Sequence, residues 1–150
     1  MPILNYTTKI NAHKTVGEVQ AILAKAGARS VSVDYDDDGM PVAVTFVIKI
    51  QENYVNFRLP SNWRGVAKSL DNDVDVPNRF KTDDQARRVA WRIIKDWVEA
   101  QMAIVNAQLA ELAEVFLPYA VDGRTGMTLY QMFDDGRLLG AGRGVKANDD

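Results

Sequence analysis

Two hydrophobic periods organise the first sixty residues. Val16, Val19, Ile22, Leu23 and Ala26 recur at three- and four-residue steps, which predicts the single apolar stripe of a helix. Gly27 stands where a left-handed residue would end that helix. Thr15-Val16-Gly17-Glu18 has the form of a capping box, with the Thr15 hydroxyl serving an amide three residues on and Glu18 reaching back, so it predicts the helix start. The period then shortens to two. Val31, Val33 and Tyr35 alternate with polar residues, DDDG turns the chain, and Val42, Val44, Phe46, Ile48 and Ile50 resume the alternation, which predicts a β-hairpin. A third strand follows over 53–59, with Val55, Phe57 and Leu59 on one face and Tyr54, Asn56 and Arg58 on the other, before Pro60 stops it. Residues 3–10, ILNYTTKI, alternate loosely and are rich in β-formers, so they predict a short opening strand.

The second half is helical. Ser61 or Asn62 is placed to cap a short helix running to residue 70, and DNDVDVPNRF (71–80) has the composition of a connecting loop, expected to be the most mobile segment. From Thr82 or Asp83 no glycine or proline occurs until Pro118, predicting a helix over about 83–117, about 35 residues long and well above the usual length. A small sheet cannot cover such a helix, so its second half is expected to bend back or to pair with a second copy of the chain, as a homo-oligomer. TGMTLYQMFDDG carries a small docking element, and a flexible Gly-rich tail is expected over 134–150. The whole predicts an α+β fold: strand and helix, a three-stranded antiparallel meander, a short helix, and a long C-terminal helix packed on one face of the sheet, in a single domain over 1–133.

Composition narrows the functional classes. With 47% hydrophobic residues, 150 residues suffice to bury a core, and 18 basic against 20 acidic residues leave a net charge of −2, so no global charge advertises a polyanion partner. The absence of cysteine removes disulfides, thiolate catalysis and cysteine-ligated metals. The single histidine, His13, has no histidine partner, and no serine, cysteine and histidine constellation offers a nucleophile with its base. Glu111, Glu114 and the other carboxylates are too dispersed to nominate an acid/base pair, so the expectation is a non-enzyme without cofactor. DYDDDG (34–39) lacks the spaced ligands and closing glutamate of a calcium loop and is read as a soluble hairpin tip, with no metal expected. Neither DGRTG (122–126) nor GAGRG (140–144) sits between a strand and a helix, so neither is a phosphate loop. No window approaches the ~20 apolar residues of a membrane span, and MPILNYTTKI lacks an apolar signal region, so a cytoplasmic chain without membrane contact is expected.

The remaining chemistry is local and cationic. Arg58, Arg64, Lys68, Arg79, Lys81, Arg87, Arg88, Arg92 and Lys95 fall between residues 51 and 98. Within QARRVAWRIIKDWVEAQ (85–101), Arg88, Arg92 and Lys95 follow four- and three-residue steps and predict one exposed strip, with Arg87 and Trp91 beside it. Such a strip bridges phosphates, and Trp91 or Trp63 could stack on a base. The candidate nucleic-acid or nucleotide-binding set is therefore Arg64, Arg79, Lys81, Arg87, Arg88, Trp91, Arg92 and Lys95. The competing expectation pairs Asp84 with Arg88, Arg92 with Asp96 and Lys95 with Glu99 on a solvated face. Val89, Ala90, Ile93, Ile94 and Trp97 are assigned to the core.

AKAGA, the PVAVTF strand, FRLP, ARRVAWRIIKDWVEAQ, EVFLPYA and GMTLYQMF together resemble a family of small proteins carried by phages, prophages and other mobile elements. That resemblance implies a mobile-element context in a bacterial host and two themes: handling of nucleic acid or nucleoprotein, and interference with host antiphage defence, by sequestering a nucleotide signal or occluding a defence protein. The order helix, three antiparallel strands, helix is also similar to double-stranded-RNA-binding domains, with TDDQARRVAWRI at the place of their phosphate-binding second helix. Asp83 and Asp84 stand where those domains carry lysines. A protein-interaction module, recognised by an exposed apolar strip on residues 98–117, is the third expectation.

Overall fold

A computed structural model of the chain describes residues 1–138. Its elements are helix α1 (Ala12–Lys25), strands β1 (Ser30–Tyr35), β2 (Pro41–Ile50) and β3 (Asn53–Pro60), helix α2 (Trp63–Asn72), a 3-10 turn at Asn78–Phe80, helices α3 (Asp83–Asn106) and α4 (Leu112–Phe116), a 3-10 turn at Leu117–Tyr119, and helix α5 (Leu129–Asp134). The mixed α+β architecture with an antiparallel meander and a long helix is as the hydrophobic pattern predicts. Of the expected 134–150 tail, Asp134 closes α5, and residues 139–150 lie outside the described residues.

The sheet runs β1-β2-β3, with Val31 opposite Phe46, Phe46 opposite Phe57, and Val44 opposite both Val33 and Leu59. Period-two alternation thus gathers these side chains on one face, where Val44, Phe46, Phe57 and Leu59 are buried against Val16, Val19 and Leu23 of α1 and Trp91, Val98 and Met102 of α3. A second cluster, Trp63, Leu70, Val76, Ala86 and Ala90, joins α2 to the start of α3. Val76 is buried in it, so the acidic 71–80 connection is pinned at its middle.

Three expectations are corrected. Helix α1 opens at Ala12, capped by the Asn11 side chain, which accepts from the His13 amide at 2.7 Å. Thr15 is already inside the helix and buried, and Glu18 turns outward to Arg92. Residues 3–10 form turns and no strand, because their carbonyls bond a side chain: Gln85 Nε2 donates to Tyr6 O at 2.8 Å and to Thr8 O at 2.9 Å, while Asn5 donates to Asp96. The third correction concerns length. The helix predicted over 83–117 ends at Asn106, where Gln108 adopts φ 61°. The Gln108 amide then donates to Val105 O and the Leu109 amide to Ile104 O, a Schellman closure built on a glutamine. The chain bends back, α4 starts with a reciprocal Glu111/Glu114 capping box, and Phe116 enters the core edge-on to Phe46 and Trp97.

That return covers a sheet edge. Phe57 of β3 forms an antiparallel bridge with Ala120, the Val121 amide donates to Asn56 O at 2.7 Å, and Val121 in turn bridges Thr128. Helix α5 follows with a Thr128/Gln131 capping box.

Candidate functional site

The expected cationic strip lies on α3, whose neighbours decide what its charges do. Helix α3 packs against α1 on one side and α2 on the other. Arg92 consequently reaches Glu18 of α1, and its side chain is only 14% exposed. Lys95, 15% exposed, is held by Glu99 at 2.9 Å and Asp96 at 3.9 Å. Arg87 crosses to the hairpin and pairs with Asp36 at 3.3 Å, with Asp84 at 3.8 Å beside it. Arg88 meets no carboxylate among the described residues; its Nε and Nη2 donate to Gln85 Oε1 at 3.0 and 2.8 Å. Of the expected acid partners only Glu99 is found with its predicted cation, since Asp84 pairs with Arg87 and Arg92 crosses to α1.

Trp91 is corrected as a stacking residue. It is fully buried, and its indole N–H donates to Pro41 O at 3.1 Å, so neither ring face meets solvent. Trp97, expected in the core, is the half-buried one, edge-on to Phe116 and Tyr119. Val89 and Ala90 are buried and Ile94 packs against the core, as predicted, while the stripe facing the sheet also takes in Trp91, Val98 and Met102.

The structure draws together a second group of cations around α2. The guanidiniums of Arg87 and Arg64 lie 4.3 and 4.8 Å from the Trp63 ring centroid, and Arg79 covers Phe80 at 4.7 Å. Arg64, Lys68, Arg79, Lys81 and Arg88 take part in no ion pair among the described residues. Arg64 and Lys68 stand one turn apart on the exposed side of α2. Asp36 of the hairpin faces this group, paired with Arg87 at 3.3 Å. Its pKa is lowered, first by the Met40 amide and further by the Asp38 amide and the Arg87 and Arg64 guanidiniums, against an opposing desolvation. The triple aspartate at the hairpin tip thus spends Asp36 on two turn amides and an arginine. Among the described residues no group of three or more His, Asp or Glu is placed to hold a metal ion.

Three depressions meet at the β3–α2 junction. One, of ≈330 Å³, is lined by Val42 and by Pro60 through Gly65. A larger one, of ≈610 Å³, is lined by Arg58, Pro60, Asn62, Pro118, Tyr119, Thr128, Tyr130 and Gln131. The third holds Ile93, Ile94 and Trp97 with Tyr119. Arg58 is occupied by Asp34 across the outer face of the sheet. Sequence reasoning missed Ser61, Asn62 and Gly65 as site residues. The signal was SNWRG itself: asparagine tolerates left-handed backbone, and glycine leaves space beside it.

No protein-family model, curated protein or solved structure matches the chain. No helix among the described residues is long and apolar enough to cross a membrane.

Proposed function

We propose that the chain is a non-catalytic accessory protein of a mobile element that binds nucleic acid or a nucleoprotein in the bacterial cytoplasm, through the α2 side of the molecule. The observation that carries this reading is the set Arg64, Lys68, Arg79, Lys81 and Arg88, cations without ion pairs among the described residues, with α2 packed on α3. A phosphate backbone gains most from charges not already neutralised by the protein, so these five replace Arg92 and Lys95 as the contact set. Asp71, Asp73, Asp75, Asp83 and Asp84 lie in the same stretch, which makes the interaction modest and salt dependent. Gel shifts at low salt, with duplex and single-stranded DNA and RNA, test it. Binding that weakens on raising salt and disappears in Arg64→Glu plus Lys68→Glu is expected. No retention of any of these nucleic acids at low salt would overturn it.

A second reading, an oligomeric antagonist of host defence that occludes a defence protein or holds a nucleotide signal, is favoured by a different observation. Leu117, Tyr130 and Phe133 are exposed on the returning C-terminal segment, two of them on α5, which helps line the larger depression. A dimeric mass in solution that reverts to monomer in Tyr130→Glu plus Phe133→Glu supports it, and so does a thermal shift with a cyclic nucleotide. A monomeric mass with no nucleotide response sinks it.

A further inference from the structure

The start of α2 is built unlike the starts of the other helices of more than two turns, α1 and α3. Asn11 caps α1 and Thr82 caps α3 through side-chain oxygens, whereas Asn62 stands at φ 49°, ψ 35° and makes no side-chain cap. A left-handed residue followed directly by helical residues turns successive amides toward one point, forming a concave nest of N–H groups. The Gly65 amide is taken by Asn62 O at 3.1 Å and the Ser61 amide by Val42 O at 2.9 Å. The amides of Asn62, Trp63 and Arg64, between them, donate to no acceptor among the described residues.

Two further features point to what those amides await. Ser61, 5% exposed, lines the same ≈330 Å³ depression, and its hydroxyl is buried without a hydrogen-bond partner. A buried hydroxyl left unpaired is costly, and an acceptor seated beside it would satisfy it. Arg64 and Gly65 line the depression too, and a Cβ built on Gly65 meets no atom within 4 Å, so the approach is open. The local charge is positive on balance: Arg87 is committed to Asp36, and Arg64 makes no ion pair among the described residues.

We propose that the α2 start is an oxyanion seat that takes one phosphate group, with the Asn62, Trp63 and Arg64 amides, the Ser61 hydroxyl and the Arg64 guanidinium as donors. Helix polarity adds to the attraction, since the free amides carry the positive end of the α2 dipole. This deepens the polyanion reading and rests on it for the source of the phosphate: a strand phosphate is the expected occupant, and free phosphate shares the chemistry.

The test is amide-resolved NMR of the full chain titrated separately with inorganic phosphate and a short single-stranded oligonucleotide, against sodium chloride of matched ionic strength. Saturable shifts of the Asn62, Trp63 and Arg64 amides with both phosphate probes and not with chloride are expected. Ser61→Ala and Arg64→Gln should each weaken phosphate binding about tenfold, since each removes a hydrogen bond to a charged group, while the remaining spectrum stays in place. Asn62→Gly, which keeps the amides and favours the left-handed turn, should retain binding. If the oligonucleotide shifts Lys68, Arg79 and Lys81 but leaves residues 62–64 unmoved, the seat is wrong and the polyanion reading stands. If phosphate alone moves residues 62–64, the seat stands and the strand reading falls. Shifts equal to those in chloride, or unchanged in Ser61→Ala and Arg64→Gln, overturn the seat.

Discussion

The middle of α3 and the start of α2 both carry arginines beside a tryptophan, yet their surroundings give those residues opposite work. On α3, Arg92 and Lys95 are largely covered and tied to Glu18, Glu99 and Asp96, and Trp91 is sealed under β2. Near α2, Arg64 and Lys68 are exposed without ion pairs, and the depression beside Trp63 is lined by a glycine and an unpaired serine. A run of cations in sequence therefore measures charge, whereas available charge depends on which carboxylates the fold brings alongside. In this chain carboxylates of the hairpin, α1 and α3 itself take up all of the denser run but Arg88, and the sparser one faces solvent.

The contrast can be broken by substitution, beginning with the largest effect. Trp91→Ala should cost about 3–5 kcal/mol, the loss of a large buried aromatic together with its hydrogen bond to the Pro41 carbonyl, read as a lower urea midpoint. A loss below about 1 kcal/mol would mean that Trp91 is not the core residue described. Next, Arg92→Ala and Glu18→Gln in a double-mutant cycle should show about 0.5–1 kcal/mol of coupling, because the pair joins two packed helices with Arg92 covered and Glu18 partly in solvent. Zero coupling would return Arg92 to the set of spare cations. Arg64→Glu plus Lys68→Glu should then change stability by less than about 0.5 kcal/mol while removing polyanion retention, and the reverse pattern would erase the distinction between the two regions.

The smallest effect is a titration. Because Asp36 has a lowered pKa in the fold, the unfolded chain binds more protons between the folded value and the ordinary carboxylate value of about 4. Its contribution to stability is thus complete above that ordinary value and is lost as pH falls through the folded one. Asp36→Asn should flatten this acid limb in pH-dependent thermal melts and, by freeing Arg87, strengthen nucleic-acid retention at low salt. An unaltered limb would detach Asp36 from the Arg87 and Arg64 cluster.

How far the sequence spoke depended on whether a feature was local. The sheet face was legible because alternation at Val44, Phe46 and Ile48, matched by Val55, Phe57 and Leu59, puts both sets on one face, and a one-residue slip would turn one set outward. Two helix ends make the limit plain. Gly27 and Gln108 occupy the same place in the same hydrogen-bonded closure, at φ 103° and 61°. Glycine announces that conformation; glutamine adopts it at a cost of about 1–2 kcal/mol, offset by contacts such as Phe116 in the core, which lie later in the chain. The opening segment failed for the same reason, since its carbonyls answer to Gln85, some eighty residues on. At the site, Arg64, Arg79, Lys81 and Arg88 were legible as cations, but which arginines would be neutralised depended on α1 and the hairpin meeting α3. Ser61 and Asn62 carried their information in backbone geometry, which side-chain type only hints at.

The strap formed by Ala120 and Val121 against β3 has a consequence for the protein's life among other polypeptides. A bare edge strand offers its amides and carbonyls to any passing extended chain, and β3 carries Phe57 and Leu59, side chains that favour such recruitment. By lending its own backbone to Phe57 and Asn56, the segment beyond the α3 bend acts as an internal chaperone for the sheet. A chain cut before Ala120 would be expected to self-associate through β3, so that two bridging residues bear on whether the molecule stays dispersed.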